Sequence, residues 1–421
     1  MKPFPTISIS QFCFCLLLLD FLFLTRMYAL SNLVELILFL FFLLHPEMRK
    51  AGLRALRHPV VKILAATSGW FLLSSLWSES GLFEGLVDWV SWRKLFLVPI
   101  GVALLDSKKR VYLALGAFLS VCVFYLLLSI FALTQPSGEL WSRNYGSIMQ
   151  NDNVQGMAFC VSGLFLVVAS VAHKNLSIFC RLGEFLIGAC LLMWVVMVGE
   201  SKSGYVAFFS GVSALCYCFI LARGETFNLS IPRAAVVFAT ITAVVVLILG
   251  ISPVALYQLT SGVQQIIEGT DCVNTAASSG SIRTVMWIHT LEIFIENFLF
   301  GTGAGGFEKA YIDIVASEGY PEGHWCGTAT DDPHQQYLHI GSEYGLIGLL
   351  LYLGYLLSLW MLPISDPSIR CLRYHLLLTI ILVGFFNGVF GGSVFGRIFA
   401  LLTSVIISWS EIEKTGRRSL A

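Results

Sequence analysis

An all-α fold, a polytopic transmembrane helical bundle of about 12 spans with one long outer loop containing short helices, is the class this sequence predicts, and three observations predict it. Hydrophobic residues make up 57% of the 421 and charged residues only 12%, where soluble chains average about 45–50% and about 25%; mean hydropathy is +0.79. The apolar residues gather in runs near the ~20 residues that span a bilayer as a helix. The basic residues fall mainly on one side of those runs. Formal net charge is zero, which argues against an overall nucleic-acid footprint; no nucleic-acid partner is expected.

In chain order the runs lie near residues 8–25, 29–45, 59–79, 82–105, 111–134, 153–172, 182–199, 203–222, 234–251, 336–363, 374–390 and 395–410. The first resembles a signal peptide but is interrupted by Asp20, followed by Arg26 and without a convincing small-residue cleavage site, so it reads as a retained helix. With the N-terminus cytoplasmic, 18 of the 26 Lys and Arg lie inside and only Arg26, Arg143, Lys202, Arg283, Lys309 and Arg397 lie outside, while Arg93 and Lys94 fall within the fourth run. That is a positive-inside pattern with both termini cytoplasmic. The organisation expected is residues 1–251 carrying spans one to nine, 252–335 as a long outer loop, and 336–421 carrying the last three spans and a cytoplasmic tail. Long loops on a rigid scaffold often carry function.

Nine of the eleven cysteines lie in or beside spans or on the inner side, where small buried residues pack. Only Cys272 and Cys326 lie in the outer loop. An oxidising outer compartment makes a disulfide between them the expectation, closing about 55 residues and contributing about 2–4 kcal/mol. The spacing of Cys13/Cys15 and Cys216/Cys218 suits no metal, and no metal or other cofactor is expected.

Three outer settings carry chemistry. Gly199-Glu200-Ser201-Lys202-Ser203-Gly204 is a tight turn opening a helix, where backbone N–H groups and the dipole favour an anion; a snorkelling anchor is the alternative for Lys202. Arg283 opens a helical stretch to Phe298 whose Ile282, Val285, Met286 and Ile293 form one apolar face, so the stretch lies against the bundle or the bilayer surface. An arginine there either snorkels or grips phosphate bidentately. In Asp331-Asp332-Pro333-His334-Gln335, Asp332 reads as an N-cap and Pro333 as the first helical residue, setting His334 in the first turn, where the positive helix end favours the neutral ring a general base needs. His289, His324 and His339 compete by type. Gly301, Gly303 and Gly306 match a dinucleotide fingerprint, but they follow a helical pattern rather than a strand and read as a loop returning the chain to the bundle.

Together the pieces resemble the O-antigen ligase and polymerase superfamily, and most of all the O-antigen ligases. The resemblance covers roughly residues 140–390: Arg143, Asn151 and Asn153 before the sixth span; Ser201-Lys202-Ser203-Gly204; Arg283 with Trp287; Gly301 with Gly303; and His334-Gln335, then Glu343, Gly345 and Gly348. It implies a glycosyltransferase of the bacterial inner membrane, acting in lipopolysaccharide biosynthesis with its site on the periplasmic face. Its partners would be an undecaprenyl-pyrophosphate-linked glycan donor, a lipid A core acceptor and membrane lipid. It implies His334, Arg283 and Lys202 as catalytic residues, and Arg143, Asn153, Ser201, Gln335 and Trp287 as substrate-binding. Lys202 stands where an arginine is usual, keeping charge but losing the fork, and Gln335 replaces the commoner asparagine. Neutral His334 would take the acceptor hydroxyl proton while Arg283 and Lys202 stabilise the leaving pyrophosphate, inverting the anomeric centre. A polymerase of the same superfamily, a relative glycosylating protein hydroxyls, and a secondary transporter or flippase are the other readings; a transporter would show internal repeats and midplane polar groups.

Overall fold

The computed structural model describes residues 8–23, 27–134, 149, 151–199, 201–223, 264, 279–320, 324–390 and 394–418, and every long element among them is a helix. In order these are α1 (Ile9–Leu22), α2 (Tyr28–Leu44), α3 (Pro46–Ala55), α4 (Pro59–Ser74), α5 (Leu82–Ser91), α6 (Leu97–Leu104), α7 (Lys108–Leu133), α8 (Asp152–Ala172), α9 (Ile178–Met197), α10 (Lys202–Arg223), α11 (Ser279–Glu296), α12 (Phe307–Glu318), α13 (Gln336–Trp360), α14 (Pro367–Val383) and α15 (Val394–Arg418). The expected span at 234–251 lies outside the described residues, as do 252–263, 265–278 and 321–323 of the expected loop.

Six helices among the described residues are long and apolar enough to cross a membrane: Pro59–Trp77, Lys108–Leu133, Asp152–Ala172, Ile178–Met197, Gln336–Trp360 and Val394–Arg417. A seventh is counted if Ala29–Leu44 and Pro46–Ala55, bent by 97° at His45-Pro46, make one broken span. Three expected spans differ in shape. The first is only 14 residues long. The fourth is not one helix: it breaks into α5, a 3-10 turn at Trp92–Phe96, and α6. Pro99 explains the break, because its ring excludes the carbonyl four residues back and its place is the first turn of a new helix. The eleventh starts seven residues early, since Asp366 caps Ser368 and Ile369 and Pro367 opens the helix.

α15 is the central helix, with every residue from Val394 to Ser410 buried. α9 lies at the periphery and exposes Ile178, Phe179 and Met193, as a lipid-facing helix does. The broken fourth run explains Arg93: its Nη2 donates to Asn32 Oδ1 at 3.1 Å, and Arg397, which pairs with Glu35, donates to the same oxygen at 3.0 Å. Through Asn32 and Glu35, Arg397 joins α2 to α15, and Arg93 adds to the same cluster from the 3-10 turn.

One break positions the face that carries the candidate site. Inside α13, Gly345 adopts φ 67°, ψ −173°, a conformation that only glycine takes at low cost. The interruption frees backbone groups, and the chain following α11 meets them: Thr302 N donates to Ser342 O at 2.8 Å, Gly303 N to Glu343 O at 2.9 Å, and Leu346 N to Phe298 O at 2.8 Å. Trp70 Nε1 donates to Tyr344 O at 2.9 Å. Gly301, with φ 70°, faces this break so closely that an added Cβ would stand 2.3 Å from the Glu343 carbonyl. The two glycine motifs are thus one structure, and they dock α11 parallel to α13, with Trp287 at Pro333, Phe294 at Gly341 and Phe298 at Leu346.

Replacing Gly345 by valine places a Cβ about 2.2 Å from Leu299 O at a positive φ. Left-handed strain and overpacking together cost roughly 3 kcal/mol or more. The expected outcome is a marked fall in Tm in detergent, whereas Gly183→Ala, with nothing within 4 Å of the new methyl, leaves Tm unchanged or slightly higher. Equal Tm values for the two variants would contradict this account of the break.

Candidate active site at the outer helix ends

The site is built from helix N-termini. Asn151 caps α8, its Oδ1 accepting from Val154 N at 2.9 Å. Ser201 caps α10, its Oγ accepting from Gly204 N at 2.8 Å and donating to Asn153 Oδ1 at 2.8 Å. Gly156 and Gly204 allow the two ends to touch; a Cβ on Gly156 would lie 2.9 Å from Gly204 Cα. Two positive helix ends therefore meet, with Lys202 in the first position of α10. Burial, and after it the charge of Arg283, hold the Lys202 ammonium below its ordinary pKa. Arg283 is itself lowered by burial, and the Asp332 carboxylate opposes that shift. Arg283 thus acts on Lys202, and Asp332 on Arg283.

α11 reaches this place on its buried face. Met286 and Ile293 pack with Phe307 and Tyr311 of α12, and Ile282 lies against them. On the adjoining face, one turn after Arg283, Trp287 Nε1 donates to Pro333 O at 3.0 Å. That bond fixes the residue immediately before His334.

His334 is not in the first turn of α13. The helix opens at Gln336 and its cap is Gln335, whose Oε1 accepts from Leu338 N at 2.6 Å. The expectation of Asp332 as cap and Pro333 as first helical residue is corrected: Asp332 closes a tighter turn, its Oδ1 accepting from His334 N at 2.7 Å. His334 takes φ 53°, the only positive φ at a non-glycine residue among those described, and such strain is held only where surroundings over-determine it. Asp332 Oδ2 lies 3.6 Å from His334 Nδ1, and 43% of the His334 side chain is exposed.

The competing histidines are engaged in the protein. His289 is buried with its Nδ1 3.3 Å from Tyr311 Oη, His324 Nδ1 accepts from Cys326 N at 3.4 Å, and His339 Nε2 lies 3.6 Å from Glu343 Oε1 with that carboxylate buried. Of the expected binding residues, Ser201 and Gln335 spend their side chains on caps and Trp287 on Pro333, while Asn153 accepts from Ser201. Arg143 and Cys272 lie outside the described residues. Cys326 is disulfide-bonded, and nine other cysteines are free.

Sequence reading missed three groups. Gln336 is 1% exposed and its Oε1 accepts from Val389 N and Phe390 N at 2.7 and 3.1 Å, holding the turn after α14 against the site. Asp88 Oδ2 accepts from Tyr344 Oη at 2.5 Å across 256 residues of chain. Asp332 was read as a cap and not as the neighbour of the histidine ring. For Gln336, a polar residue entering an apolar run was the available signal.

A family model described as O-antigen ligase matches residues 185–353. The matched segment contains Lys202, Arg283, the glycine loop, His334 and the break at Gly345. No curated protein matches the chain.

The lowering of Lys202 by Arg283 gives a direct test. Arg283→Gln removes a positive charge beside Lys202, so protonated Lys202 becomes less costly and its titration moves to higher pH. Amine acylation of Lys202, followed by peptide mapping against pH, is expected to show a higher midpoint in the variant; an unmoved midpoint would separate the two residues.

Proposed function

Because the chain carries a domain of the O-antigen ligase superfamily over residues 185–353, we propose that it is an O-antigen ligase of the bacterial inner membrane. In this reading it is a multi-pass protein with both termini cytoplasmic, and the helix ends gathered around His334 face the periplasm. The reaction is transfer of a glycan from undecaprenyl pyrophosphate to a lipid A core sugar, with inversion and without nucleotide or metal. The observation that carries the reading is the linked set Lys202, Arg283, Asp332 and His334 at converging helix ends. A pyrophosphate leaving group needs positive charge more than it needs an acid, and preorganised cations supply it without reorganisation. The attacking hydroxyl needs a base, and the His334 side chain is 43% exposed where that of His339 is 15% exposed and His289 is buried.

We assign Arg283 and Lys202 to the pyrophosphate and His334 to the acceptor hydroxyl. Arg143 and Asn153 bind substrate, and Ser201, Gln335 and Trp287 position the groups that do. Cys272 is the partner we propose for Cys326, the remaining ten cysteines being that bonded residue and nine free thiols. A groove of about 480 Å³ supports a lipid-linked substrate: it is lined by Tyr337, Leu349, Leu353, Leu356, Leu357, Trp360, Ile381 and Phe385. It runs between α13 and α14 from a point three residues past His334, and its walls suit an isoprenoid chain.

His334→Ala is expected to abolish transfer with the protein still inserted, assayed with purified lipid-linked donor and core acceptor; retained transfer would remove the ring from the mechanism. Lys202→Ala is expected to lower kcat roughly 10- to 100-fold, within the range lost with one preorganised donor, while Lys202→Arg retains activity. Lipopolysaccharide from a deletion strain separates ligase from polymerase. Glycan accumulating on the carrier with bare core supports the ligase, and core bearing a single repeat supports the polymerase.

A further inference from the structure

We propose that Asp332 is the positioning carboxylate of His334, turning Nδ1 inward and Nε2 toward substrate and stabilising the imidazolium that forms during transfer. This rests on the reading of His334 as base.

Four observations converge on it. The His334 Nδ1 atom is buried and has no hydrogen-bond partner among the described residues, while the side chain as a whole is 43% exposed. The ring is therefore half sunk, with one nitrogen inward and the rest outward. The inward nitrogen faces Asp332 Oδ2 at 3.6 Å, a separation that a charge-assisted hydrogen bond shortens, and catalytic hydrogen bonds are often long before substrate binds. The backbone holds this pose: the same carboxylate's Oδ1 accepts from His334 N at 2.7 Å, and His334 pays for the turn with its left-handed φ of 53°. The fold also leaves room for the carboxylate. Gly388 stands where a Cβ would meet Asp332 Oδ2 at 2.9 Å.

A carboxylate at Nδ1 fixes the tautomer that places the proton on Nδ1 and the lone pair on Nε2. In the reaction the acceptor O–H proton moves to Nε2 as its oxygen bonds to the anomeric carbon. The bond from that carbon to the pyrophosphate oxygen breaks, and the electron pair leaves with the carrier pyrophosphate. The ring then carries a full positive charge, and Asp332, whose carboxylate also acts on Arg283, is its compensating anion. Other charged or titratable groups acting here are Lys202, through Arg283, and His339, whose own partners are Glu343 and Asp88.

Asp332→Asn tests the charge without removing the turn, because the amide oxygen still accepts from His334 N. The expected result is a kcat roughly 10- to 100-fold lower, part of the 10²–10⁴ that a general base supplies. KM for donor and acceptor stays within about twofold, and the acid limb of the pH–rate profile moves to lower pH as the charged ring loses its partner. Asp332→Glu, keeping the charge, recovers part of kcat and returns the limb. Carbethoxylation of His334 against pH, mapped by peptide, is expected to show the same downward move without any assay of transfer. An Asp332→Asn enzyme with wild-type kcat and profile overturns the proposal, as does a loss of kcat with an unmoved limb and unmoved carbethoxylation. An active His334→Ala enzyme in the same assay overturns the base reading instead, so the two failures are distinct.

Discussion

The candidate site depends on how the protein satisfies the backbone around Gly345. A helix interrupted within a membrane protein exposes N–H and C=O groups that hydrocarbon cannot serve, each costing several kcal/mol if left alone. Here the donors and acceptors at 342–346 are met by residues 298–303 and by the Trp70 indole. That pairing fixes the end of α11 against the third turn of α13. Since the two helices run parallel, fixing their later turns together also sets the start of α11 beside the start of α13, which brings Trp287 to Pro333 and Arg283 toward Asp332. The backbone pairing and the chemistry are therefore mechanically one unit. A distortion at the glycines is transmitted to the histidine turn along a rigid helix of 18 residues.

Much of this was legible from composition and period. The apolar runs marked most of the helices, and the apolar positions Val285, Met286 and Ile293 marked the face of α11 that is buried. The outer basic residues were few enough to be considered singly, and one of them, Arg283, acts on another, Lys202. What was not legible depended on contacts distant in sequence. Gly301 and Gly345 read as separate motifs because their pairing is set by tertiary docking. Asp332-Pro333 read as a cap and first helical residue because that dipeptide ordinarily is one; only the anchoring of Pro333 by Trp287, and the Asp332 turn, displace the helix start to Gln336. The break in the fourth run was signalled by Pro99, but hydropathy alone averaged across it.

The arrangement also shows how a neutral chain presents a positive site. Arg93 and Arg397 are engaged by Asn32 and Glu35, and among the described residues Asp332 is the carboxylate that acts on Arg283. The helix ends of α8 and α10 add partial positive charge that needs no side chain. Such ends are effective only when they converge, and the contact of Gly156 with Gly204 makes them converge.

This division of labour bears on the lysine at position 202. Arginine is the better partner for a phosphate because its fork makes two parallel hydrogen bonds. Where one arginine already offers that fork, a second makes a crowded cationic pair whose guanidiniums must both be desolvated. Lysine is a compact point charge and its ammonium loses a proton more readily when buried, which is the direction in which burial and Arg283 push it. In the proposed reaction a pyrophosphate opposes both effects by bringing a second anion to cations that otherwise have Asp332 beside Arg283. The charge that would develop on such a leaving group strengthens that attraction, so the interaction would be stronger in the transition state than in the ground state.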